Sequence, residues 1–221
     1  MKPRFIQASC QEDNVIDLRQ AKLILRYKPD IILLEYPGQK NKYNTIIDHS
    51  FSSKQSIKKI QSIQDRLRGM MKLIPWLKSE IKMLDNAIEL IKSGRRVEIY
   101  GIDGPKDLLA EGYDLWKGQY PQIAKNWLWW VRIFLREKYM AKNIKSILKH
   151  YKLKNNPNVA VFLQSFHWRH VKFLLKNYSK EKIWHYYFNK FGKYINLANI
   201  DSKIKTENDI FYKYWRIASK F

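Results

Sequence analysis

The sequence predicts an α/β fold: a mostly parallel central sheet flanked by helices, with a helical insertion after the second strand. Three observations carry this. Four short apolar runs read as strands, helical patterns separate them, and each run is followed by a polar residue or a turn signal. Runs that are apolar throughout, instead of alternating, suit strands covered on both faces, as in parallel sheets. Strands that alternate with helices argue for βαβ units in a layered domain.

The first strand is expected at Arg4–Ala8. Val15, Leu18, Ala21 and Leu25 then fall on one face of a helix that ends near Tyr27, two residues before Pro29. The second strand is expected at Asp30–Glu35 (DIILLE), after which Pro37 and Gly38 open a polar loop to about Ser53. A long helical region over residues 51–93 follows, with a break at Ile74–Pro75. In its second half Ile81, Leu84, Ile88 and Ile91 share one face, and Gly94 stops the helix. The third strand is expected at Val97–Ile102, and Gly104 and Pro105 suit a turn after it. One long helix is expected from about Ile123 to Tyr151. Asn155, Asn156 and Pro157 lead into the fourth strand, Val159–Gln164, and a last helix should run from near His167 through Leu175. Trp127, Trp129, Trp130 and Phe134 wrap around much of the long helix, which favours burial between layers over a base-stacking platform. Residues 179–221 form a basic, aromatic segment that could add a helix and an edge strand around Tyr194–Ile200.

The 221 residues suit a single domain, and a hydrophobic fraction of 45% is ample for a core. The net charge of +22 raises the prospect of a polyanionic partner, nucleic acid or an anionic surface, bound without sequence preference. The excess is mostly Lys interleaved along the chain amid many Ile, Asn and Tyr residues, as compositional drift also produces. A single cysteine, Cys10, excludes a disulfide framework within the chain and fits a reducing compartment. The chain shows neither a signal-peptide pattern nor a membrane-spanning run, so a cytoplasmic location is expected.

Ligands of open parallel sheets bind outside the carboxyl ends of the strands. Those ends carry Cys10 after the first strand, Glu35 closing the second, Asp103 after the third, and His167 with His170 after the fourth. A carboxylate such as Glu35 can orient a histidine, hold a metal or act as a base, and it can equally cap a turn or pair with a Lys. His167 and His170, spaced i, i+3 at a helix start, could share one face to bind a divalent metal or activate water. His170 could also be a packing residue. Cys10 could be a nucleophile near His167, or an inert buried thiol. Asp103, His170, Gln164 and Gln7 complete the candidate binding residues. No phosphate-binding GxxxxGK[ST] loop, GxGxxG, GxSxG, CxxC or HExxH occurs.

In their order, these segments resemble the superfamily of the erythromycin esterases, ChaN and TraB/Tiki-like proteins. FIQASC sits where that family carries a Gly-rich strand end and a histidine. KPDIILLEYPG is similar to its Pro-Asp-hydrophobic-Glu segment, and VEIYGID to a strand ending in Gly-hydrophobic-Asp. REKYMAKNI, with Arg136, Glu137, Met140, Ala141 and Asn143, resembles its Arg-Glu…Met-Ala-x-Asn helix. VAVFLQSFHWRHVKFLL resembles its last motif, an apolar strand running into a histidine and a helix. The resemblance spans about Arg4 to Leu175. The chain departs from the pattern at Cys10, which stands in the place of a histidine, at the strand end before it, which lacks the usual glycine, and at Gln164, near a common glycine position.

The resemblance implies an α/β sheet with a helical insertion and a pocket built from the first-strand loop, Glu35, Arg136 and His167. It implies a hydrolase-like chemistry on a small-molecule or peptide substrate, altered or silenced by the histidine-to-cysteine replacement. In that reading His167 is general base or ligand, Glu35 its orienting carboxylate, Arg136 a clamp for a developing anion, and Cys10 a substituted ligand or a nucleophile. The alternative is a non-enzymatic basic protein that binds nucleic acid or another polyanion.

Overall fold

The structure, a computed structural model, describes residues 4–8, 24–38, 43–70, 77–105, 122–151, 157–163 and 165–176, together with Ser179, Lys182, Ile183 and Tyr186. At residues 122–133, and at a few other positions that include Gln7, only the backbone is described.

Among the described residues, five strands form one sheet: β1 (Arg4–Ala8), β2 (Ile31–Gly38), β3 (Asn44–Ile47), β4 (Glu98–Pro105) and β5 (Asn158–Phe162), in the spatial order β1-β5-β2-β4-β3. The first four in that order run parallel, and β3 closes the edge antiparallel to β4. The helices are α1 (Ser53–Met70), α2 (Leu77–Lys92), α3 (Gln122–Tyr151) and α4 (Ser165–Leu174). The expected α/β class, with a mostly parallel sheet flanked by helices, is therefore what the chain adopts.

The apolar runs explain the layering. Successive strand residues point to opposite faces. Ile32, Leu34, Ile99, Ala160 and Phe162 pack on one side with Ile60, Ile63 and Leu67 of α1 and Leu84, Ala87 and Ile91 of α2. Ile31, Leu33, Tyr100, Ile102, Val159 and Val161 pack on the other with Met140, Ile144 and Ile147 of α3 and Trp168 and Val171 of α4. Each such side chain stabilises the fold by roughly 1.5–3 kcal/mol on burial. Because both faces are covered, only the strand ends and the sheet edges can present polar groups.

The amino ends of three strands are tied by Asp30. Its amide donates to the Asn158 carbonyl and its carbonyl accepts from the Glu98 amide. Its carboxylate accepts from the Asn158 amide at 2.9 Å and pairs with Arg95 at 3.2 Å. Glu98 accepts from the hydroxyl of Tyr100 and also from Tyr151, which fastens the end of α3 to the same region. Helix α2 ends as Gly94 predicts. Gly94 takes φ +85°, its amide donates to the Ile91 carbonyl, and the Arg95 amide reaches back to Leu90. That is the paired closure of a Schellman motif, which favours glycine at the left-handed position.

Three expectations are corrected. Asp103, Gly104 and Pro105, expected just after the third strand, lie inside β4. The polar loop expected from Pro37 to Ser53 contains strand β3, and β2 runs on through Pro37 and Gly38. Glu35 is thus inside β2 and does not close it. Strand β3 is only four residues long, with a single pair of buried apolar residues, Ile46 and Ile47, among polar neighbours. Its pairing is carried by the backbone and by Tyr43, which meets Tyr100 edge-on at 5.3 Å. Helix α4 begins at Ser165, near His167 as expected, and places His167 in its first turn. The expected break at Ile74–Pro75 and the edge strand around Tyr194–Ile200 lie outside the described residues.

Candidate active site

The carboxyl ends of β2, β4 and β5 point the same way, and helix α3 crosses them. From α3, Arg136 and Glu137 are adjacent in sequence but serve different partners, as neighbouring helical positions separated by about 100° must.

Arg136 holds the two strand-end carboxylates together. Its Nη2 donates to Glu35 Oε1 at 2.8 Å and to Asp103 Oδ2 at 2.6 Å, and its Nε donates to Asp103 Oδ1 at 3.1 Å. The two-point contact on Asp103 is the fork geometry that suits guanidinium and carboxylate. Asp103 is buried and also accepts from the Gly104 amide at 2.7 Å. Burial alone would pull the Arg136 guanidinium down. Asp103 and then Glu35 outweigh it, so its pKa is raised and the cation is held charged. Seven residues on, Asn143 donates from its amide to the Ile102 carbonyl at 2.9 Å. It thereby anchors the backbone just before Asp103, two turns along the same helix face.

Glu137 is 0% exposed. Its Oε1 receives the Nδ1 atoms of both His167, at 3.0 Å, and His170, at 2.8 Å. The i, i+3 spacing of the histidines puts both rings on the face of α4 that meets α3. A carboxylate can only accept. Both Nδ1 atoms therefore carry hydrogen, and the basic lone pairs sit on Nε2. His167 Nε2 stands 3.8 Å from Glu35 Oε1. This joins the two clusters into one chain of groups, Asp103–Arg136–Glu35, then His167–Glu137–His170. The His170 ring also meets Tyr186 edge-on at 5.9 Å.

A further carboxyl enters from the opposite layer. Glu80, in the first turn of α2, is largely covered with a partial opening to solvent. Burial first, and then the charge of Glu35, push its pKa up to about 7. Near neutral pH it can therefore take or give a proton.

The structure thus gathers Glu35, Asp103, Arg136, His167 and His170 at one end of the sheet. The side chain hydrogen-bonded to the His167 ring is Glu137 and not Glu35, which is instead the anion paired with Arg136. Glu80 and Glu137 were not among the candidate site residues. Both carry a readable signal, an acid on an apolar helical stripe: Glu80 in register with Leu84, Ala87 and Ile91, and Glu137 with Phe134, Ala141 and Ile144. Gln7 lies in β1, level with Val161 of β5, by its backbone. Cys10 and Gln164 lie outside the described residues, as does any contact between the thiol and this cluster. Among the described residues no group of three or more His, Cys, Asp or Glu side chains is arranged to hold a metal ion. Arg136 pairs with both Glu35 and Asp103, and both histidines direct Nδ1 to one carboxylate. Also among the described residues, no helix is long and apolar enough to cross a membrane.

Comparison with known proteins returns no matching family model, no matching curated protein and no matching solved structure.

Proposed function

We infer that the strand-end cluster is an acid–base site for hydrolysis, with His167 as the general base. The observation that carries this reading is the 3.0 Å contact between His167 Nδ1 and the fully buried Glu137. It fixes the ring and its tautomer, turns the basic Nε2 toward Glu35, and stabilises the imidazolium that forms when Nε2 takes a proton. Glu80 is the group suited to return a proton to a leaving group. Arg136 pairs with Glu35 beside the base and, with two carboxylates on it, acts in positioning more than in binding a developing anion. The resemblance to the erythromycin esterase and TraB-like proteins supports a small-molecule or peptide substrate with an ester or amide bond.

The test is hydrolysis of a panel of activated esters and short peptides by the whole chain. His167→Asn should lower the rate by roughly 10²–10⁴-fold, the usual contribution of a positioned general base. An active protein indifferent to His167→Asn would refute the assignment. The net charge of +22 supports a second reading, a basic surface for polyanions. The cluster itself is rich in carboxylates, with Glu35 and Asp103 paired to Arg136, Glu137 bonded to two histidines and Glu80 near enough to feel the charge of Glu35. A polyanion would therefore bind elsewhere on the molecule.

A further inference from the structure

Beside α3 and α4 there is a cavity of about 390 Å³. Its described lining is Leu135, Ala141, Leu174 and Ile183 with Tyr139, rimmed by Lys138, Lys142 and Lys145. The lysines follow the i, i+4, i+7 spacing of one helical stripe, so the three ammonium groups stand along one edge of the apolar floor over about 10 Å of helix. No acidic side chain is among the described lining residues. Among the described residues, Lys142 and Lys145 make no ion pair, and burial pulls the Lys145 pKa down. Exposed lysines ranged beside apolar carbon suit an anion whose head meets the ammonium groups and whose tail covers the carbon.

We propose that this cavity binds a small amphipathic anion, a medium-chain carboxylate, with its tail on Leu135, Leu174 and Ile183 and its head on Lys142 and Lys145. The volume falls in the range of roughly 300–1,000 Å³ typical of small-molecule sites, which favours a single acyl chain over a docked protein segment. No lining residue belongs to the His167 cluster, so failure of this proposal leaves the hydrolytic reading intact, and the reverse holds too.

The test is calorimetric titration of the whole chain at fixed salt with decanoate, and with decanol, decyltrimethylammonium and acetate as comparisons. Decanoate is expected to bind saturably at one site, at least tenfold more tightly than each comparison compound. Lys142→Gln with Lys145→Gln should weaken it at least tenfold. Both lysines are exposed, so the variant should fold, and an unchanged thermal transition checks this. Lys58→Gln with Lys59→Gln, on exposed positions of α1, should leave decanoate binding unchanged. Equal binding of decyltrimethylammonium, equal losses from both lysine pairs, or displacement of decanoate by a tail-less polyphosphate would overturn the proposal.

Discussion

Glu80 and Arg136 show how single side chains set the character of the site. The folded chain raises the Glu80 pKa from its ordinary 4.5 to about 7. Between those values the folded protein keeps a proton that the unfolded chain has lost, so stability falls as pH rises across that window and the penalty is full above about 7. Glu80→Gln has no charge to bury. It should match the parent protein below pH 4.5 and exceed it above neutrality, by up to roughly 3 kcal/mol. Thermal unfolding at acid and alkaline pH reads this directly, and a constant difference across pH would contradict it. Arg136 is the opposite case, a cation required by its neighbours. Arg136→Leu leaves Glu35 and Asp103 crowded without a counter-charge and should cost about 3–5 kcal/mol, the usual loss when one partner of a buried pair is removed. Adding Asp103→Asn to Arg136→Leu should recover part of that loss in urea unfolding. Strict additivity would mean that the pair is not coupled.

At the scale of elements, the sheet edge depends on close packing at Gly101. A Cβ there would lie 2.9 Å from the Tyr36 carbonyl oxygen and 3.3 Å from the Asn44 Cβ, between β2 and β3. Gly101→Ala should therefore push the two strands apart and cost about 1–3 kcal/mol, with loss of amide protection concentrated in β3. Protection lost evenly through the sheet would argue against that local cause. The four parallel strands and the long helix α3 are legible in the sequence because continuous Ile, Val and Leu runs and a 3.6-residue period are strong, local signals. The short edge strand is not, since Ile46 and Ile47 are too few to distinguish it from a loop. The site is legible in half. Glu35, Asp103 and His167 are marked by their places after apolar runs. Glu137 is marked in the sequence only as an acid on an apolar stripe of α3, and its partners come from a helix 30 residues later. Glu80 likewise meets Glu35 only once α2 has packed on the sheet.

Across the whole molecule, the two ends of the sheet serve different purposes. Asp30 and Glu98 tie the amino ends with hydrogen bonds to backbone and tyrosine, while the carboxyl ends concentrate titratable groups around the crossing of α3. Asp30→Ala should lower stability by about 1–2 kcal/mol through the lost amide and arginine contacts, without altering the pH dependence of the site. The chain also carries a net charge of +22. Any binding to nucleic acid should be similar for duplexes of unrelated sequence and weaken steeply with salt, and a strong sequence preference at constant salt would contradict that. Glu137 holds His167 with its proton on Nδ1 and its basic nitrogen toward Glu35. Nitrogen NMR of the protein labelled at histidine, at mildly alkaline pH, tests it most directly. His167 is predicted to be the Nδ1–H tautomer, and Glu137→Gln should shift its resonances. A His167 ring protonated at Nε2 instead, or unmoved by Glu137→Gln, would contradict it.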